Sequence, residues 1–153
     1  MHSKKVSSFL WFESNAEAAV KHYAAIFGAD FTSSGNSFEL LGQRFIAFNG
    51  GPHYKLNEAF SIMIECGTQD EIDALWEALT ADGGAPSRCG WLKDSFGVSW
   101  QIVPKQLFGL LNDPDPKKAA RVLSAMLAMN KLDIAALEGA CERRGDEMDL
   151  LEV

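Results

Sequence analysis

Phe9-Leu10-Trp11-Phe12-Glu13-Ser14-Asn15-Ala16-Glu17-Ala18-Ala19-Val20-Lys21-His22-Tyr23-Ala24-Ala25-Ile26-Phe27-Gly28 decides the fold, because the chain writes a similar unit again from Phe60. Setting Phe12 against Ile64 puts Glu13 on Glu65, Val20 on Ile72, Tyr23 on Leu75 and Phe27 on Leu79, so the two helices share one apolar phase. Phe9–Asn49 and Phe60–Pro104 each read as strand, helix, then hairpin strands. A duplicated unit of this kind implies two half-sheets side by side with a cleft where they meet. The fold class expected is α/β in the α+β sense, as one domain. Residues 6–49 make the first module, 59–104 the second, and 105–141 a helical extension.

Within the first unit, Val6–Phe12 reads as a buried strand, and Ser14 or Asn15 can cap the helix that follows. Ala19, Val20, Tyr23, Ile26 and Phe27 form its apolar stripe, and Gly28 ends it. Thr32–Asn36 reads as a loop or a very short strand. Ser37–Leu41 and Arg44–Asn49 are strands joined at Gly42-Gln43, and Asn49–Asn57 is irregular. In the second unit Ala59–Cys66 is a strand covered on both faces. Thr68 with Glu71 makes a capping box, and Ile72, Leu75, Trp76 and Leu79 form the helix stripe. Arg88–Lys93 and Val98–Val103 read as a hairpin around Asp94-Ser95-Phe96-Gly97. Beyond Pro104, short helices start at Gln106, at the run Asp113-Pro114-Asp115-Pro116 and at Asp133. They read as an appendage with no core of its own, and the charged stretch Glu142–Val153 as a fraying end.

At 153 residues the chain can bury one good core. Hydrophobic residues at 47 % and charged residues at 23 % are an ordinary globular balance. The net charge of −7 argues against a general nucleic-acid binder. Cys66, Cys89 and Cys141 are odd in number and widely spaced, which points to reduced thiols and a cytoplasmic setting. The apolar run Val6–Phe12 is too short and polar for a signal peptide or a membrane span.

Few residues suggest chemistry. His2 sits at the terminus and His22 beside a helix stripe. His53, in Asn49-Gly50-Gly51-Pro52-His53, either edges a pocket that the glycines leave room for or stands in an exposed turn. No metal-binding spacing or nucleophile constellation is present, and no residue is assigned a catalytic role. Glu39 and Glu65 lie in strands and read as edge carboxylates. Trp11, Trp91 and Trp100 lie in strands and are either core or the lining of an apolar cavity with a polar tip such as Gln101 or Asn49.

Six segments resemble the PhnB-like branch of the glyoxalase/bleomycin-resistance (vicinal oxygen chelate) superfamily, whose members often carry the label 3-demethylubiquinone-9 3-methyltransferase. They are Leu10-Trp11-Phe12, His22–Gly28, Asn49–His53, Cys89–Asp94, Phe96–Pro104 and Lys131–Leu137. The resemblance implies paired βαβββ modules and a homodimer. The methyltransferase label finds no glycine-rich strand–turn–helix loop for S-adenosylmethionine. Only the ten residues Gly28–Ser37 separate Phe27 from Phe38, which puts the second strand of the first module in doubt. The four positions where metal-dependent members carry His or Glu fall near Ser8, Ala47, Phe60 and Gln101, a poor ligand set.

The expectation is therefore a small, partly hydrophobic molecule bound between the modules by Trp11, Asn49, His53, Phe60, Trp100 and Gln101. No metal, cofactor, nucleic acid or membrane is involved. A metal-dependent lyase or dioxygenase, and a non-catalytic interaction protein with a vestigial cleft, are the competing readings.

Overall fold

The structure, a computed structural model, describes residues 5–142. His2 and the charged stretch beyond Glu142 lie outside the described residues. The first module is β1 (Ser8–Phe12), α1 (Ala16–Phe27), β2 (Phe31–Ser34), β3 (Ser37–Leu40) and β4 (Gln43–Asn49). The second is β5 (Ser61–Cys66), α2 (Gln69–Thr80), β6 (Ala85–Pro86), β7 (Trp91–Lys93) and β8 (Ser99–Pro104). Three helices follow: α3 (Leu107–Leu111), α4 (Pro116–Leu127) and α5 (Ile134–Glu142). The sheets run β1-β4-β3-β2 and β5-β8-β7-β6. In each, the outermost first strand pairs in parallel with the last strand, and the remaining pairs are antiparallel. The fold is α+β, with the same βαβββ topology in both halves.

Period-two alternation sets each sheet's two faces. On the first sheet Leu10, Phe12, Phe38, Leu40, Phe45 and Ala47 face the core, and Phe9, Trp11, Ile46 and Phe48 share the opposite face. On the second, Ile62, Ile64, Leu92, Trp100 and Ile102 face inward. The inward faces, with α1 and α2, make one core. Tyr23 and Phe27 of α1 reach Trp100 of β8, with ring centroids 5.4 and 5.8 Å apart, so the first module's helix packs into the second module.

Several boundaries differ from the sequence reading. The second strand of the first module is present: Phe31–Ser34 pairs with β3 along its whole length. Only Phe31 of its four side chains is buried, stacked on Phe38 at 5.3 Å, so its composition lacks the alternation that signals a strand. In the second module the hairpin strand is cut to Trp91–Lys93. Cys89 and Gly90 take left-handed backbone (φ 59° and 84°), which breaks the strand before it. The two repeats also slip by one residue: three residues lie between Phe12 and the start of α1, and four between Ile64 and the start of α2. Ala19, not Val20, thus takes the fully buried place that Ile72 holds in α2.

The helical extension does have a core, contrary to its reading as a bare appendage. Val103 of β8 packs with Leu107, Val122, Leu132, Leu137 and Cys141. The amides of Cys89 and Gly90 donate to the carbonyls of Met129 and Asn130, at 2.8 Å each. Arg121 holds the end of α5, donating from Nε to the Ala140 carbonyl at 2.9 Å and from Nη2 to that of Cys141 at 3.0 Å. Among the described residues no helix is long and apolar enough to cross a membrane.

Candidate functional site

A cleft of ≈ 370 Å³ lies between the modules. Ser8, Leu40, Leu41, Gln43 and Phe45 line it from the first, and the run Phe60–Glu65 from the second. That run spans both faces of β5, because β5 is the edge of its sheet and presents its unpaired side to the cleft. The walls are mixed: leucine, isoleucine, methionine and two phenylalanines against serine hydroxyls, one amide and the Glu65 carboxylate. Phe60 (44 % exposed) and Met63 (41 %) stand at the opening.

The outward face of the second sheet forms a grid. Ser61, Ser99 and Lys93 make one row; Met63, Gln101 and Trp91 make the next; Glu65 and Val103 follow. Gln101 Nε2 donates to the Ser61 hydroxyl at 2.9 Å, which ties this grid to the cleft wall.

The six residues expected at the site do not meet in one pocket. Phe60 lines the inter-module cleft, and Gln101 reaches it through Ser61. Trp100 is fully buried on the opposite face of β8, its indole N–H donating to Asp94 Oδ2 at 2.8 Å. Asn49 is occupied: its side-chain oxygen accepts the Ala16 amide at 2.9 Å and so caps α1, while Asn15 makes no such bond. Trp11 donates its indole N–H to the Gly51 carbonyl at 3.0 Å and lines a separate cavity of ≈ 230 Å³ with Tyr54 and Phe96. Gly50 lies against that indole so closely that a Cβ would sit 2.1 Å from the ring. The glycines of this loop therefore serve the tryptophan. His53 is exposed in the adjoining turn.

The possible metal positions do not combine either. Ala47 is buried in the core, Gln101 is on the outward face, and Ser8 and Phe60 are in the cleft. Among the described residues no three His, Cys, Asp or Glu side chains come together, so the donors present do not fit a transition-metal centre. The turn from β1 to α1, Glu13-Ser14-Asn15, contains no glycine to cradle a nucleotide.

Asp94, a turn residue by its sequence setting, is the hub of a buried network. This 3 % exposed carboxylate accepts from the Tyr23 hydroxyl (2.6 Å), the Trp100 indole (2.8 Å) and the amides of Phe96 (2.9 Å) and Val98 (3.0 Å). Burial, then the nearby Asp94 charge and hydrogen bond, raise the Tyr23 phenol well above its ordinary value. Burial and Glu71 push the Cys66 thiol up to about 11, which marks it as a packing residue.

The family model described as 3-demethylubiquinone-9 3-methyltransferase matches residues 29–103 and stops before the helical extension. A solved structure from Bacillus cereus, described as a putative 3-demethylubiquinone-9 3-methyltransferase, PhnB protein, is 27 % identical with a TM-score of 0.57. The match covers 66 % of this chain and 99 % of that one. Protein PA1353 from Pseudomonas aeruginosa shares the fold at 17 % identity and a TM-score of 0.55, over 67 % of this chain and 98 % of its own. A glyoxalase/bleomycin resistance protein from Albidiferax ferrireducens gives 16 % and 0.47 over 64 % and 97 %. No curated protein matches. The paired βαβββ modules, the family-model match over residues 29–103 and the likeness to the Bacillus cereus PhnB protein support the PhnB-like branch of the glyoxalase/bleomycin-resistance superfamily as the family of this chain.

Proposed function

We propose that this protein binds a small, partly hydrophobic molecule in the cleft between its modules, without a transition metal. The observation that carries the reading is the cleft itself. It is ≈ 370 Å³, built by both modules, and lined by apolar and polar side chains together, the size of a small-molecule site. Phe60 offers a ring for stacking, and Ser61, held by Gln101, offers a hydroxyl. The edges of β1 and β5 are unpaired among the described residues, and a homodimer is the arrangement that would cover such edges.

A thermal-shift screen of small aromatic and aliphatic compounds tests the reading, since a ligand that binds the native state raises the melting temperature. A hit is expected to lose roughly tenfold in affinity in Phe60→Ala, about one apolar contact's worth. It should weaken less in Gln101→Ala. Affinity unchanged in both folded variants rejects the cleft. Stoichiometric metal that survives dialysis, with activity lost on chelation, would favour the lyase or dioxygenase alternative instead. An interaction protein is the remaining competitor, favoured by exposed Phe9 (56 %) and Phe48 (38 %) on the outward face of the first sheet.

A further inference from the structure

A second cavity, ≈ 410 Å³, opens on the outward side of β7 and β8 and shares no lining residue with the inter-module cleft. Glu58, Arg88, Trp91, Lys93 and Ser99 line it. Lys93 and Ser99 are register partners across β7 and β8, so their side chains lie on the same face. Ser99 is 2 % exposed, and its hydroxyl has no hydrogen-bond partner among the described residues. A buried hydroxyl left without a partner is uncommon and unfavourable. Arg88 is exposed, and the ion pairs among the described residues, Lys21–Glu17, Lys93–Glu58 and Lys131–Asp73, do not include it. The cavity thus gathers a guanidinium, an ammonium and an unsatisfied hydroxyl beside an indole, on a protein whose net charge is −7.

One carboxylate already sits there. Glu58, in the segment between β4 and β5, places Oε1 2.6 Å from Lys93 Nζ. The pair is well exposed, with side chains 42 % and 64 % accessible, so holding it closed contributes little. We propose that this cavity is a binding site for a small organic carboxylate with a flat apolar body, and that Glu58 occupies the anion position until the ligand displaces it. The ligand's carboxylate takes the Lys93 ammonium and the Arg88 guanidinium, which are suited to charge-assisted and bidentate bonds. Its second oxygen lies toward the Ser99 hydroxyl, which gains an acceptor. The body of the ligand packs on Trp91, where an aromatic ring gives the largest contact.

Isothermal titration of the full chain with benzoate and phenylacetate, against neutral benzamide, tests this. At least one carboxylate is expected to bind, with benzamide at least roughly tenfold weaker. Lys93→Met and Arg88→Met should each lower affinity by roughly tenfold, the scale of one charge-assisted hydrogen bond. Glu58→Gln should raise affinity, because the internal competitor is gone. Phe60→Ala, in the other cleft, should leave it unchanged, so that failure of one site does not stand for failure of both. The proposal is overturned if neither carboxylate binds even to Glu58→Gln, or if benzamide binds as well as the acids. It is also overturned if removing either cation changes nothing, if Glu58→Gln does not strengthen binding, or if Phe60→Ala abolishes it.

Discussion

Asp94 ties Tyr23 of α1, 71 residues away in sequence, to Trp100 of β8 and to the tip of its own hairpin. All its partners are donors, and all are buried or nearly so. In Asp94→Ala these donors lose their acceptor together, and a loss of about 3–5 kcal/mol is expected in urea melts. Asp94→Asn, which keeps the acceptor oxygen at Oδ1, should cost less. Tyr23 adds a pH signature. Its folded pKa is raised, so its contribution is fully present below the unfolded value of 10.0 and is lost as pH rises through the folded one. Stability should therefore fall more steeply above about pH 10 in the wild type than in Tyr23→Phe, as read by denaturant titration across that range. None of this network was legible beforehand. Asp94 reads as one turn residue among several, because its bond to Tyr23, 71 residues away, leaves no mark in local spacing. Trp100 stayed ambiguous for a related reason: β8 carries apolar residues on both faces, Trp100 and Ile102 inward and Val103 outward.

Among the elements, those with strong periodicity were read well, and those defined by partners were not. Both helices and the edge strands β1 and β5 follow from apolar spacing alone. β2 was undervalued because its pairing with β3 is made by backbone groups, while Thr32, Ser33 and Ser34 face solvent. The start of α1 shows the same limit. Asn15 stands where a cap belongs, but the bond comes from Asn49 at the end of β4. Asn49→Ala is accordingly expected to destabilise the protein by about 1 kcal/mol and Asn15→Ala by clearly less. Equal losses in thermal melts would refute the assignment. Thr68 behaves as the sequence implies, accepting from the Glu71 amide at 3.2 Å. The Glu71 carboxylate, however, reaches the Gly67 amide at 3.0 Å and not that of Thr68.

For the whole molecule, the duplicated unit and the family segments gave the architecture, and composition gave none of the site. The duplicated topology implies a cleft between the modules, and a cavity lined from both modules lies there. The expected lining scattered because strand parity sends Trp100 and Gln101 to opposite faces and because Asn49 and Trp11 are already occupied. The unpaired edges and the exposed Phe9, Phe48 and Met63 lead to a further expectation. Light scattering at micromolar concentration should find a dimer, and a monomer alone would reject that arrangement.

Tyr23 and Phe27 belong to the first repeat, yet they lodge against Asp94 and Trp100 of the second. The first half of the chain therefore completes the interior of the second, and the segment from Gly50 to Phe60 bridges them, with Leu56 packed on the shared core. A protease that cuts there would leave two pieces still bound to each other and still native in shape. Made as separate polypeptides, the same pieces would have to find one another before either could fold, as two genes must once their duplicated products have come to share one interior.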